Sequence, residues 1–500
     1  MAALSFSASA AEFLQSASSA SALYVVAPKA ALADGSAFAL LAGSALPVAA
    51  AFGEGGVGAA LAASAGASVN GSMTSSTVVG FGSALQTLGV VALPDESSRY
   101  YSPTQSMAVT GGLKGVGGGD GTAAVLVVLA DAEYALPAVR GVARALPRYS
   151  RKTGGGTSRE VAVGVCTVAA PAAVLPPPAT WALAAEAVRN TARINDTPTA
   201  DMNTAEVEEE ARTALAGVPN VTVESIVGDE LLENGLGAIH AVGRTSLSPP
   251  RLVVLTLTPS DPAAAAKPPI ALVGKGIVYD TGGLNLKGNG GRGMKDDMSG
   301  AGAVLGAFQF LATAAAAGSE LSAPLVAALC LAENSIGPDS YRPDDILTMH
   351  SGKTVEVGNT DAEGRFVIGV RARCPHQPAL LLLLTTLVPR IAQRPALSTC
   401  LLARVRLHRC LAQDGCSWCA RELGAKIVID AATLTGHSSF TGKTHAAAMA
   451  SDGALEELAI AAGLSSGEHV VPMVFLPEAQ VTHHEPVLLS ELWNNAEKAR

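Results

Sequence analysis

The stretch PIALVGKGIVYDTGGLNLKG, residues 269–288, decides the fold. Its first half reads as a strand, and the chain then runs into paired glycines. A strand delivered into a glycine-rich loop is where open α/β sheets build their sites. The same stretch brackets one carboxylate, Asp280, between two lysines, Lys275 and Lys287. Two cations and an anion held that close predict a site as well as a sheet.

Outward from it the pattern repeats. RLVVLTLT, just upstream, reads as a second strand. WALAAEAVRNTARINDTPTADMNTAEVEEEARTAL reads as two helices, the second capped by Asn203 and Thr204 ahead of Glu206 to Glu210, which places acids in a first turn. APAAVLPPPAT (Ala170–Thr180) is a proline-rich break and marks a boundary. Before it, ALYVVA, TLGVVAL, AAVLVVLAD and REVAVGVC alternate with Gly/Ser-rich connections, again an α/β pattern. Two domains are expected: a non-catalytic α/β domain at 1–174 and a catalytic α/β domain at 175–500. Five hundred residues suit that division.

Composition narrows the function. A formal charge of -9, with no basic run, argues against nucleic acid as a partner. Hydrophobic residues make up 49% and charged residues 15% of the chain, a surplus of Ala and Gly. The strongest apolar run, ALLLLLTTLV (Ala379–Val388), is too short to span a bilayer, so no membrane helix is expected. The Ser/Ala-rich N-terminus carries Glu12 and no basic residue before Lys29, which favours a first strand of a cytoplasmic domain over an organelle transit peptide. Seven cysteines without a secretory signal indicate a reducing compartment.

Three segments gather the carboxylates. The first is the opening stretch. The second, GMKDDMSGAGAVLGAF, sets Met294, Lys295, Asp296 and Asp297 before a small-residue helix; the third, VGNTDAEGR, spaces Asp361, Glu363 and Arg365 at alternate positions. Alternation in an extended segment would turn all three toward one cavity. Asp280, Asp297, Asp361 and Glu363 would repel one another in a shared pocket unless cations answered them. Oxygen ligands without His or Cys suit Mg²⁺, Mn²⁺ or Zn²⁺, and bridging carboxylates suit two ions together. Singly, each segment also reads as a helix cap or a turn.

In this order, with LAENSIGPDSYRPDDI and IVIDAATLTG between and after them, the segments resemble the leucyl aminopeptidase (cytosol aminopeptidase) family, of which NTDAEGR (Asn359–Arg365) is the most specific signature. YDTGGL, LAENS and RPDDI are similar to its probable-aminopeptidase branch. The resemblance implies a catalytic domain with a mixed central sheet flanked by helices. It implies two divalent ions, zinc, manganese or magnesium, one held by Lys275, Asp280, Asp297 and Glu363 and the other by Asp280, Asp361 and Glu363. Lys275 would then ligate as a neutral amine of depressed pKa. Lys287 would stabilise the oxyanion, Arg365 would hold bicarbonate, and Met294, Thr433 and Gly436 would line an apolar first-residue pocket. Peptide substrates and a homo-hexamer follow from the same resemblance; the expected location is cytoplasmic, with an organelle the alternative if the N-terminus is a transit peptide.

The chain also departs from that family. Residues 368–410, rich in Arg, Leu and Cys, interrupt an expected helix and read as translated intron or a gene-model error. The other reading of this region is a zinc site at His408, Cys410, Cys416 and Cys419. The family continues for several elements past HVVPMVFLPE, whereas this chain stops at Arg500, so its catalytic domain is expected to be C-terminally truncated. One residue is missing between Lys287 and Asp297, and Ser299 stands where a glycine is usual. A catalytically impaired binding or assembly subunit is the alternative function, and a defective gene model the third reading.

Overall fold

Runs of Val, Leu and Ala set the strands of the first unit. Thr122–Leu129 is buried along nearly its whole length, on both faces, as a parallel strand covered by helices should be. The computed structural model describes residues 2–44, 73–81, 85–94, 100, 102–118, 121–151, 153, 159–288, 290–368, 414–434, 446–450 and 453–472, with short strands at 378–379, 404–405 and 492–493. The chain divides into two compact units. The first comprises Met1–Ala192, Ser438–Ala448 and Leu458–Pro472, and the second comprises Arg193–His437, Met449–Glu457 and Met473–Arg500.

The first unit carries β1 (Ala3–Phe6), β2 (Ala22–Pro28), β3 (Met73–Phe81), β4 (Leu85–Leu93), β5 (Thr122–Leu129) and β6 (Glu160–Thr167). They form one sheet in the order β1-β6-β5-β2-β4-β3, parallel except where β3 meets β4. The four apolar runs read as strands are β2, β4, β5 and β6. The expected first strand is β1. β3 was not foreseen, because the Thr-Ser-Ser-Thr run of MTSSTVVGF reads as a connection. On one face the helix Ala10–Ser18 presses Phe13 onto β6, where a Cβ on Gly164 would sit 2.7 Å from the ring.

The second unit carries β7 (Val221–Val227), β8 (Arg251–Leu257), β9 (Ile270–Asp280), β10 (Leu325–Asn334), β11 (Ile346–Thr348), β12 (Thr354–Glu356), the pair β13 (Pro378–Ala379) and β14 (Arg404–Val405), and β15 (Ile427–Ala431). Its sheet runs β15-β9-β10-β8-β7. β15, β9 and β10 are parallel, while β8 and β7 are antiparallel to their neighbours. This is the mixed sheet flanked by helices that was expected. The helices Thr204–Leu215 and Ser299–Ala316 cover one face through Val207, Ala211, Leu305 and Phe308. The helices Gly237–Gly243 and Asp414–Arg421 cover the other through Ile239, Val242, Cys416 and Cys419. The predicted cap is present: the Asn203 side chain accepts from the backbone of Ala205 and Glu206.

Small residues let the long helix lie directly on β9. A Cβ on Gly274 would fall 2.5 Å from the Ala301 Cα, and one on Gly300 would run into the Ala431 carbonyl. The stretch Met294–Ala316 has the length and apolarity of a bilayer-crossing helix, which the sequence reading passed over, and it is mostly buried against the sheet. Ser299 lies in right-handed helical geometry, where no glycine is required.

Candidate metal centre

The site forms where β9 and β10 end. Residues Ala332 and Ile277 are in register, but Asn334 pairs with Asp280, so an irregularity shifts the last residues of both strands. Asp280, the final residue of β9, is thereby held against the end of β10. Two glycines follow with φ of 88° and 61°, a left-handed turn that other residues adopt only under strain. This turn brings Lys287 back over Asp280.

Asp297 arrives on a 3-10 turn, Met294–Met298, that leads straight into the long helix. Glu363 arrives on a second short turn. Here the sequence reading fails: residues 360–362 form a 3-10 helix capped by Asn359 and Gly364–Val367 form a helical turn, so the segment is not extended. Residues two apart on a helical turn point away from each other. Asp361 and Glu363 accordingly go to different lysines, and Arg365 sits half-buried one turn further on.

The charges interlock. Lys275 Nζ lies 2.8 Å from Asp297 Oδ2 and 2.8 Å from Glu363 Oε1, and donates to the Thr433 carbonyl at 3.2 Å. A Cβ on Gly364 would lie 2.9 Å from that nitrogen, which explains the glycine after Glu363. Lys287 Nζ lies 2.7 Å from Asp280 Oδ2 and 2.5 Å from Asp361 Oδ1. Thr433, expected to line a pocket, donates its hydroxyl to Asp297 at 2.6 Å. Met294 is half-buried, and its neighbour Lys295 turns away to the Asn195 carbonyl and Asp296. Gly436 lies outside the described residues.

Burial dominates the electrostatics. It drives the Glu363 carboxyl up to about 7, with Lys275 opposing and Asp280 and Asp297 reinforcing the rise. Asp297 is raised for the same reason, against the pull of Lys275. Burial alone would depress Lys275, but Glu363 and Asp297 outweigh it and hold the ammonium above its ordinary value. The depressed amine expected of a metal ligand is therefore not a property of the chain by itself. It requires another cation to answer those carboxylates. Lys287 is likewise raised: burial opposes, and hydrogen bonds to Asp280 and Asp361 prevail.

One oxygen each from Asp280, Asp297 and Glu363 lie within 4.8 Å of one another, all buried. Four carboxylates face two ammonium groups, so with all four ionised the cluster is short of two positive charges, and without another cation protons answer part of that deficit. Glu363 Oε2 is buried with no hydrogen-bond partner. A crowded, underneutralised set of hard oxygens with an orphaned lone pair fits divalent cations.

Three supporting residues were missed. Asn334, Thr360 and Tyr341 hold the turns together, and only their place in LAENS, NTDAEGR and SYRPDD could have pointed to them. The zinc alternative fares differently. Cys416 and Cys419 are buried core residues beside Cys330, and burial pushes the Cys419 thiol up to about 12. His408, Cys410 and nearly all of 368–410 lie outside the described residues.

Comparison with known proteins places these residues among relatives. The model of the cytosol aminopeptidase family, catalytic domain, matches residues 189–393 and 409–496. A human protein named probable aminopeptidase NPEPL1 is 36% identical over 400 residues, covering 78% of this chain and 65% of its own length. The chain thus spans just under two thirds of that relative. Leucine aminopeptidase 1 of Caenorhabditis elegans is 36% identical over 394 residues, covering 78% of this chain and 68% of its own. Among solved structures, leucyl aminopeptidase from Trypanosoma brucei in complex with bestatin superposes with a TM-score of 0.72 at 28% identity. It covers 98% of this chain and 84% of its own.

Proposed function

The chain belongs to the cytosol aminopeptidase family, and from that membership we propose that it releases N-terminal amino acids, preferably apolar ones, from peptides. The observation that carries the proposal is the buried convergence of Asp280, Asp297 and Glu363 on Lys275. Lys275, Asp280, Asp297 and Glu363 would hold one divalent ion, and Asp280, Asp361 and Glu363 the other. Such ions, zinc, manganese or magnesium, would activate a water at neutral pH and polarise the scissile carbonyl.

The chain's own groups do the rest. Lys287 is kept charged by Asp280 and Asp361, which makes it the cation available to a developing oxyanion. Arg365 supplies a fixed positive charge for a bicarbonate-like anion. Met294, Thr433 and Gly436 would line the pocket for the first side chain. The catalytic role falls to residues 175–500, while 1–174 form a non-catalytic domain. A cytoplasmic homo-hexamer acting on peptides completes the proposal.

Hydrolysis of leucyl p-nitroanilide beside its N-acetylated form tests it. The free amine is expected to be cleaved and the blocked substrate left intact. Equal cleavage of both, or of neither by the metal-loaded chain, overturns the proposal.

A further inference from the structure

The carboxylates are tied together by a second layer of neutral side chains. Asn334, fully buried at the end of β10, donates Nδ2 to Asp280 Oδ1 at 2.8 Å and to the Thr360 carbonyl at 3.0 Å. Its backbone carbonyl, as distinct from the side-chain Oδ1, receives the Thr281 amide at 3.0 Å and hydroxyl at 2.8 Å. One side chain thus joins the end of β9 to the turn that carries Asp361 and Glu363.

Thr360 closes the same joint from the other side. It is fully buried, and its hydroxyl donates to the Gly282 carbonyl at 2.7 Å while receiving the Asn285 amide at 2.8 Å. The Thr360 amide in turn donates to Asn285 Oδ1 at 2.8 Å, and Tyr341 donates its hydroxyl to the Thr360 carbonyl at 2.6 Å. The glycine loop packs onto these groups: a Cβ on Gly283 would lie 2.9 Å from the Thr360 hydroxyl and 3.0 Å from Asn334 Oδ1. None of these residues carries a charge. The bonds that Thr360 makes to Asn334, Gly282, Asn285 and Tyr341 join only neutral groups and so do not depend on the neutralisation of the carboxylates; only the Asn334–Asp280 bond reaches one.

We propose that Asn334 and Thr360 are positioning residues: a neutral clasp that fixes Asp280 relative to the Asp361–Glu363 turn without help from a bound ion. The inference rests on the metal-centre reading for its purpose and on the hydrogen bonds for its existence. Groups that orient ligands in this way typically contribute about 10- to 100-fold to metal affinity. Four mutually repelling carboxylates would otherwise spread apart.

The test uses the full chain with Asn334→Asp, Thr360→Val and Thr360→Ser. Asn334→Asp keeps the shape but loses both donors beside Asp280. Thr360→Val keeps the volume and loses the hydroxyl, which Thr360→Ser restores. In chelator, amide exchange of wild type should show Asn285 and Thr360 protected. Thr360→Val should expose the Asn285 amide, and Thr360→Ser should retain it. In a manganese titration, Asn334→Asp and Thr360→Val should bind about 10- to 100-fold more weakly than wild type, with Thr360→Ser near wild type. Equal behaviour of the two Thr360 variants in both measurements overturns the clasp, even if Asn334→Asp fails to fold. A wild-type chain that takes up no manganese overturns the metal-centre reading instead, while the exchange result still decides the clasp.

Discussion

Replacing Lys275 by methionine, of similar length and without charge, isolates the cation's contribution. Lys275 is 2% exposed, and its ammonium stands 2.8 Å from both Asp297 and Glu363. Thr433 keeps its hydroxyl on Asp297 in the variant, but Glu363 Oε2 already lacks a partner and Oε1 would lose the lysine. Removing one member of a buried ion pair costs about 3–5 kcal/mol, since the remaining charge stays desolvated. The carboxylates can escape that cost by binding protons. Glu363 is raised from its usual value near 4.5 to about 7, so the folded state holds a proton there that the unfolded state has lost. Stability from such a group falls as pH rises from about 4.5 to 7. Losing Lys275 removes the charge attraction and the hydrogen bond that hold this value down, so the variant's window extends further up. Urea unfolding in chelator at pH 6 and pH 8.5 measures both effects. Lys275→Met should lose about 3–5 kcal/mol at pH 8.5 and less at pH 6, at up to about 1.4 kcal/mol per pH unit. A deficit under about 1 kcal/mol at pH 8.5, or one that grows on acidification, refutes the reasoning.

Other outcomes follow from the same geometry. Lys287→Ala should retain bound metal, measured by elemental analysis, while lowering kcat for leucyl p-nitroanilide by about 10²-fold or more, the scale of one lost oxyanion donor. Asp414 is fully buried and accepts the amides of Ala238, Ile239 and His350 at 2.8–3.0 Å. Asp414→Ala leaves three buried donors unpaired and should cost about 3 kcal/mol or more in urea unfolding, with Asp414→Asn costing less. Gly300→Ala drives a Cβ into the Ala431 carbonyl and toward the Lys275 amide. It should destabilise the chain by about 1–3 kcal/mol in the same assay and lower manganese uptake.

The charged half of the site was readable from residue type and order. Lys275, Asp280, Lys287, Asp297, Asp361 and Glu363 are few, close in sequence and chemically incompatible unless they share cations, so their convergence could be inferred. Their path could not. The alternation of Asp361, Glu363 and Arg365 suggested a strand, but Asn359 accepts the Asp361 amide and starts a 3-10 turn, a local capping choice that outweighs periodicity. Asn334 was invisible for another reason. It follows Glu333 at the polar end of an apolar strand, and its importance depends on a register shift that sequence does not display. In the sheets, long apolar strands such as β5 and β9 announced themselves. β3, with its Ser and Thr, is recognised as a strand by its antiparallel pairing with β4.

Metal stoichiometry tests the central claim most directly. The full chain, loaded with manganese or zinc and freed of excess, should hold two ions per polypeptide by elemental analysis. Glu363→Ala, which removes a ligand assigned to both, should hold fewer. A wild-type chain that retains no ion, or a Glu363→Ala chain that retains two, would contradict the account.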